Sequence, residues 1–465
     1  MVKTIQDKIK EVPGLMFVVE NMELMSSAGR RRMLEQKFLT DTDDLNWEQD
    51  AVALMCGRLR NQEYAHAATV LKHQLMQLHD LHTTLKGLES HFILDEVELF
   101  EIKNLAFLCT HSRKALAEMQ VDDKFRLPDL TEVFDILDPD KTGIPNFYIY
   151  DSYDIRLAPI RKRMKEADDE LMGELLAEQN EIQRQVIVSL CDKLMPYAGR
   201  LLDALDQMAY IDFVLARSVL ADQWGLMKPE IQKCEDGIHP IQSLFNPRLK
   251  THNENSGLRY QPVDIDIVKG VTLITGANMA GKTVLLKSVG LLQLMYQFGF
   301  PVPASSARIV PVDDVVFCIG DEQNEMKGLS SYASEITRIS EILRRSESER
   351  LMVLIDEPAR TTNPIEGKAL VQSLVSIMET RNSITMITTH YSQLGTSCRR
   401  LRVKGFVETM SDIPVSAQNI NDFIDYSLVP DDSDEVPHEA LRIAELLDCY
   451  PALINQARNN LMNKD

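Results

Sequence analysis

The sequence predicts a mixed protein, with an all-α front half and an α/β back half whose first strong strand ends in a phosphate-binding loop. Three observations predict it. Apolar residues recur at helical spacing over residues 20 to about 127, and again from 157 to about 224. From about residue 237, short β-branched runs alternate with helical segments, the pattern of a parallel sheet covered by helices. Finally, "LITGANMAGKTVLLKSV" (residues 273–289) passes from an apolar strand through a glycine-bracketed loop into a helix.

The elements follow in order. "AVALMCGRLRNQEYAHAATVLKHQLMQLHDL" keeps the helical period within residues 1–127, where Pro13 is the only proline. Residues 128–156, "LPDLTEVFDILDPDKTGIPNFYIYDSYD" and its flank, are rich in Pro, Asp and Gly, with an aromatic strand-like run at 147–150. Within it "DPDKTG" (138–143) starts like a calcium loop. Its twelfth position is Ile149, where calcium requires a bidentate Glu, so it reads as a turn. Helical periodicity returns over 157–230, with Pro196 as a kink or boundary. In 231–430 the runs "VTLIT", "VVFCI", "LMVLI" and "SITMITT" are the expected strands. The acidic "PDDSDEVP" then leads into one or two terminal helices within 431–465.

Net charge is −20, with 70 acidic against 50 basic residues. Affinity for DNA comes largely from Lys and Arg displacing counterions, so this balance argues against a general DNA-binding surface but not against a local basic stripe. The visible clusters, "GRRR" (29–32) and "RKRMK" (161–165), read as solvated helix faces. The seven cysteines, Cys56, Cys109, Cys191, Cys234, Cys318, Cys398 and Cys449, form no CxxC pair and read as reduced, packed thiols. No stretch approaches the roughly 20 apolar residues of a membrane span. The N-terminal "MVKTIQDKIKEV" is too charged for a secretory signal. A cytoplasmic protein without a membrane partner is expected.

Gly276, Ala277, Asn278, Met279, Ala280, Gly281, Lys282 and Thr283, followed by Val284, satisfy GxxxxGK[ST] between a strand and a helix. Such a loop curls backbone N–H groups around phosphate oxygens, aided by the helix N-terminus. ATP with Mg²⁺ is the expected ligand. Lys282 would reach the β- and γ-phosphates, and Thr283 would ligate Mg²⁺. "LMVLIDEP" supplies the partner strand, with Asp356 to hold Mg²⁺ through water and Glu357 to orient the attacking water. "SITMITTHY" ends in His390, where a γ-phosphate sensor would sit.

With "TGANMAGKT", "GLSSYASEI", "LIDEPARTTNPIEG" and "ITTHYSQL" in this order, the chain resembles the MutS family of ABC-type ATPases, best known for DNA mismatch repair. The resemblance implies that Ser330, in the signature segment, reaches into a partner subunit's ATP site. Each nucleotide would then lie between two subunits, in a homodimer or a heterodimer with a related subunit. It makes 1–127 a helical core domain, 128–156 a reduced clamp or linker and 157–230 a helical lever. Residues 231–430 become the ABC-type ATPase domain and 431–465 a C-terminal helical dimerisation element. Tyr260 takes the place of the aromatic residue that stacks on adenine.

The family's mismatch-reading and connector domains and its Phe-x-Glu wedge have no counterpart in this sequence, and no nuclease-like domain follows the ATPase. Direct mismatch reading is therefore not expected, although DNA remains the partner that the resemblance implies. In the loop after Glu357 the family has glycines flanking the arginine, where this chain reads Pro358-Ala359-Arg360-Thr361-Thr362-Asn363-Pro364. That loop is similar to MutS-like proteins associated with cobalamin-dependent lysine 5,6-aminomutases, which implies the alternative of an ATPase that reactivates such an enzyme. Both readings share one engine: ATP binding and hydrolysis open and close a dimer.

Overall fold

The computed structural model describes residues 3–462 apart from 122, 233–236, 278–279, 320–330, 392–393, 396, 407–419, 432–440, 442–443 and 446–448. The chain divides into two compact units. One comprises Met1–Gln6, Asn21–Lys37 and Asp50–Asp222, the other Asp7–Glu20, Phe38–Gln49 and Gln223–Asp465. Among the described residues no helix is long and apolar enough to cross a membrane.

The first unit is helical. Its helix Glu96–Glu118 begins at a reciprocal cap: the Asp95 carboxylate accepts from the Glu98 N–H at 2.8 Å, and the Glu98 carboxylate accepts from the Asp95 N–H at 3.0 Å. Leu99, Ile102, Leu105 and Cys109 then recur at three- and four-residue spacing, Leu116 follows two turns on, and all are buried in the core. Burial pushes the Cys109 thiol up to about 12, which keeps it an inert packing group. The break expected at Pro196 is present. Helix Asp169–Leu194 gives way to a 3₁₀ turn at Met195–Tyr197, and helix Ala198–Trp224 follows. On that helix the buried Asp212 accepts hydrogen bonds from Met25 N–H, Ser26 N–H and the Ser26 hydroxyl. Burial keeps its pKa raised, and those donors offset only part of that effect.

The segment 128–156 corrects one expectation. Residues 147–150 form no strand. Their aromatic rings pack on one another instead, Tyr148 on Tyr150 at 3.9 Å between centroids and Tyr150 on Tyr153 at 5.7 Å. The calcium-like "DPDKTG" is a turn, and an internal cation fills it. Lys103 is fully buried, and its ammonium donates to Asp138 Oδ1 at 3.0 Å and to the Asn146 carbonyl at 2.7 Å. Asp138 also accepts from the Thr142 hydroxyl and the Gly143 N–H. Burial alone would raise the Asp138 pKa, but these donors and the Lys103 charge hold it at about 2. The basic clusters are partly consumed in the same way. Arg31 pairs with Glu35, Asp80 and Asp206, and Arg161 pairs with Asp151 and the Ile149 carbonyl.

The second unit is α/β. Its strands are β1 (Glu230–Ile231), β2 (His239–Leu244), β3 (Val263–Ile267), β4 (Gly270–Thr275) and β5 (Ser306–Ile309), then β6 (Asp314–Cys318), β7 (Leu351–Asp356), β8 (Ile384–Thr388), β9 (Arg399–Phe406) and β10 (Ile424–Pro430). They form a four-stranded sheet of order β1-β5-β2-β3 and a six-stranded sheet of order β10-β9-β4-β8-β7-β6. The larger sheet is parallel except for β10, which runs antiparallel to β9. Strands β4, β7 and β8 are almost wholly buried, as central parallel strands with both faces covered must be. Val271, Leu273, Val353, Ile355 and Ile387 pack there against Val371, Leu374 and Met378 of helix Pro364–Glu379.

The start of β6 is pinned by charge. Lys8 pairs with the buried Asp314 at 3.0 Å and donates to the Val315 carbonyl at 3.1 Å, and Arg345 reaches the same Asp314 at 2.9 Å. Helix Lys282–Gln297 is buried along most of its length, and Gln297 near its end donates to the Leu39 and Val312 carbonyls.

Candidate nucleotide site

The site lies at the carboxyl ends of three adjacent parallel strands, where open α/β sheets bind ligands. Register places Ile274 of β4 opposite Thr388 of β8, and Thr388 opposite Asp356 of β7. The loop after β4, the His390 loop after β8 and the acidic pair at the end of β7 therefore emerge side by side.

Gly276 and Gly281 bracket the phosphate loop with φ +132° and +77°. At Gly281 a side chain would also meet the Tyr426 ring, 3.0 Å from where its Cβ would stand, so this position excludes larger residues twice over. Helix Lys282–Gln297 starts at the next residue and aims its N-terminal N–H groups into the loop. Ala280 is buried, with its N–H on the Ala277 carbonyl at 3.2 Å, and Val284 is exposed. Asn278 and Met279 lie outside the described residues.

Lys282 is buried, and its ammonium donates to the Gly276 and Ala277 carbonyls at 2.8 and 2.9 Å. It also stands 3.8 Å from the Glu357 carboxylate. The Thr283 hydroxyl donates to Asp356 Oδ2 at 2.6 Å. The other Asp356 oxygen accepts from the Thr388 hydroxyl at 2.5 Å. The same Thr388 hydroxyl accepts from the Glu357 N–H at 2.9 Å. One buried hydroxyl thus fixes both acids. Glu357 itself has φ +47° and a second cation, Arg360, at 3.7 Å from its carboxylate.

Of the residues predicted from sequence, Lys282, Thr283, Asp356 and Glu357 converge. His390 stands two residues past the end of β8, exposed, its ring 4.3 Å from that of Tyr391. The Tyr260 hydroxyl is linked to the phosphate-loop helix through Asn246. That oxygen accepts from the Asn246 N–H at 2.7 Å, and Asn246 in turn donates to Ser288 at 3.3 Å. Ser330 lies outside the described residues. Sequence reading missed Thr388, Glu335, Tyr391 and Tyr426. The signal for Thr388 was a hydroxyl on the last residue of an apolar strand, next to a strand ending in Asp-Glu.

The donor set suits Mg²⁺, which takes hard oxygen ligands. A threonine hydroxyl and a carboxylate already in contact would hold the ion, and Lys282 with the loop N–H groups would hold the phosphates that share its charge. In this arrangement Glu357 is the acid free of the Mg²⁺ pair, held between Lys282 and Arg360.

Residues 272–463 match the family model for MutS domain V. A protein of Agathobacter rectalis named endonuclease MutS2 is 34% identical over 230 residues, 49% of this chain and 28% of its own length. Its counterparts in Symbiobacterium thermophilum and Enterococcus faecalis are 36% and 32% identical over 236 and 240 residues, half of this chain and 28–29% of theirs. The matched stretch is thus less than a third of each relative. The family model and the phosphate loop between β4 and its helix fall on one segment, and over residues 272–463 the chain is similar to MutS domain V.

Proposed function

We propose that the chain binds ATP with Mg²⁺ at this site and hydrolyses it to ADP and phosphate, and that nucleotide state sets the opening and closing of a dimer. The similarity of residues 272–463 to MutS domain V supports an ATPase with a DNA-related role. The observation that carries the reading is the contact between the two motifs, Thr283 on Asp356, with Thr388 joining Asp356 to Glu357. Lys282 exchanges its loop carbonyls for phosphate oxygens, because a dianionic phosphate outcompetes neutral acceptors. Bound Mg²⁺ neutralises phosphate charge. Glu357 then orients water toward the γ-phosphate, and His390 and the partner's signature segment sense whether that phosphate is present. A ligand shifts an equilibrium only through its different affinity for the two states, so these γ-phosphate contacts carry the switch.

The client we propose is DNA, of mismatched or branched form, gripped by the helical units and released on hydrolysis. Net charge −20 and the paired Arg31 and Arg161 make that grip local rather than general. The alternative client, a cobalamin-dependent aminomutase, keeps as its support the Pro358–Pro364 loop of the sequence, and the relatives described above add nothing to it.

The test is turnover and DNA binding on one preparation. Wild-type protein should hydrolyse ATP, and Glu357→Gln should bind ATP without turning it over. A salt titration on heteroduplex and branched DNA should show affinity falling steeply with salt. Normal turnover in Glu357→Gln would remove the assignment of the water-orienting acid. No DNA binding at low salt would remove the proposed client.

A further inference from the structure

The loop after Glu357 is strained, and the strain is held from two sides. Glu357 and Ala359 have φ +47° and +60°, in the left-handed region, where a residue with a Cβ costs about 1 kcal/mol or more. The cost at Ala359 is partly offset by packing. Its methyl is buried and lines an apolar cavity of about 240 Å³ with Ile336 and Leu343 of helix Ser331–Arg345 and Leu370 and Leu374 of helix Pro364–Glu379.

Both polar groups of Ala359 are also taken. Its N–H donates to Glu335 Oε1 at 3.1 Å, and its carbonyl accepts from the Tyr391 hydroxyl at 3.1 Å. Tyr391 is itself fixed. Its N–H donates to the Thr389 hydroxyl at 3.0 Å, and Gly367 gives its phenol room, since a Cβ there would collide with the Tyr391 oxygen. Burial and the Glu335 charge both raise the Tyr391 pKa, so it stays a proton donor across the neutral range.

We propose that Glu335 and Tyr391 are positioning residues of hydrolysis: they brace the Ala359 backbone from the helix that follows the signature segment and from the His390 loop, and thereby fix Glu357 two residues away. The proposal rests on the reading of Glu357 as the acid that orients water. It makes one short loop the meeting point of three motifs. A shift of either the signature helix or the His390 loop, by whatever event, loosens the Ala359 tie and moves the Glu357 carboxylate relative to Lys282, while the phosphate-loop backbone keeps its own ties. Nucleotide affinity and turnover are then set separately.

The experiment measures kcat, KM, ATP affinity and thermal midpoint for Tyr391→Phe, Glu335→Leu and Glu335→Gln, each alone and in a Glu357→Gln background. Loss of either donor–acceptor pair should lower kcat about tenfold, with KM and ATP affinity unchanged within about twofold. Glu335→Gln keeps a carbonyl acceptor and should recover most of the turnover. In the Glu357→Gln background none of the three should lower turnover further. Wild-type kcat in Tyr391→Phe and Glu335→Leu, with Glu357→Gln inactive, overturns this proposal alone. So does a kcat that falls in step with ATP affinity and thermal midpoint. Normal turnover in Glu357→Gln overturns the underlying reading instead. Should Glu335→Leu fail to fold, Tyr391→Phe and Glu335→Gln, each a minimal change of atoms, still decide the matter.

Discussion

Replacing Thr388 with valine tests how the acidic pair is held. The side chain is fully buried and valine has nearly its shape, so no cavity opens and only the hydroxyl is lost. That hydroxyl donates to Asp356 at 2.5 Å and accepts from the Glu357 N–H at 2.9 Å. A hydrogen bond to an ionised carboxylate contributes about 1.5–3 kcal/mol and a neutral one about 1 kcal/mol. The Glu357 N–H also lies 3.2 Å from the Thr388 carbonyl, which softens the second loss. Thr388→Val should therefore destabilise the α/β unit by about 2–3 kcal/mol. For a unit of this size that lowers Tm by roughly 5–10 °C. Turnover should fall by roughly tenfold, because about 1.4 kcal/mol of lost positioning has that effect. Thr388→Ser should restore both stability and turnover in large part. Denaturation and steady-state hydrolysis on the three proteins are the assays. A Thr388→Val protein within about 0.5 kcal/mol of wild type, at unchanged turnover, would refute the claim that this hydroxyl fixes both acids.

Lys282→Ala should lose nucleotide binding, measured by calorimetry, because phosphate loses its buried ammonium partner; binding at wild-type affinity would contradict the site. Lys103→Met should cost about 3–5 kcal/mol in denaturant titration, since it strands the Asp138 carboxylate in the helical core. The Lys103→Met, Asp138→Asn double variant should regain part of that loss. The folded Asp138 carboxyl titrates at about 2, below its ordinary 3.8. Its stabilisation is therefore full above pH of about 4 and fades as pH falls toward about 2. The stability gap between wild type and Asp138→Asn should close over that window; a gap that is constant with pH would remove the ion pair as its cause.

The parts of the fold that sequence made readable are those whose burial leaves little choice of residue. Strands β4, β7 and β8 are near-continuous buried runs of Val, Ile, Leu, Met and Thr because both faces are covered, and the phosphate loop needs glycine at Gly281 because of its φ and the Tyr426 ring. The four-stranded sheet was not readable. Its strands are short, β1 has two residues and β2 carries Pro240, so no period of two builds up. Lys103 looked like any solvated helix lysine, since its partners lie 35 to 47 residues away along the chain. Residues 147–150 misled for a similar reason. Aromatic residues favour strands, but here their partners are each other. At the site, Lys282, Thr283, Asp356 and Glu357 were legible from spacing. Thr388, Glu335 and Tyr391 were not, because each acts through a hydrogen bond to a strand or loop distant in sequence.

In the proposed cycle ATP is hydrolysed between two subunits of a dimer, each supplying what the other lacks, and in the homodimer both subunits are copies of this chain. Mixing two variants tests it most directly: Lys282→Ala, which keeps the signature serine but cannot hold phosphate, and Ser330→Ala, which keeps the phosphate loop. Each alone should be inactive, and hydrolysis should return when the two are combined, since mixed pairs hold one whole site. No recovery on mixing, or wild-type turnover by Ser330→Ala alone, would contradict the account.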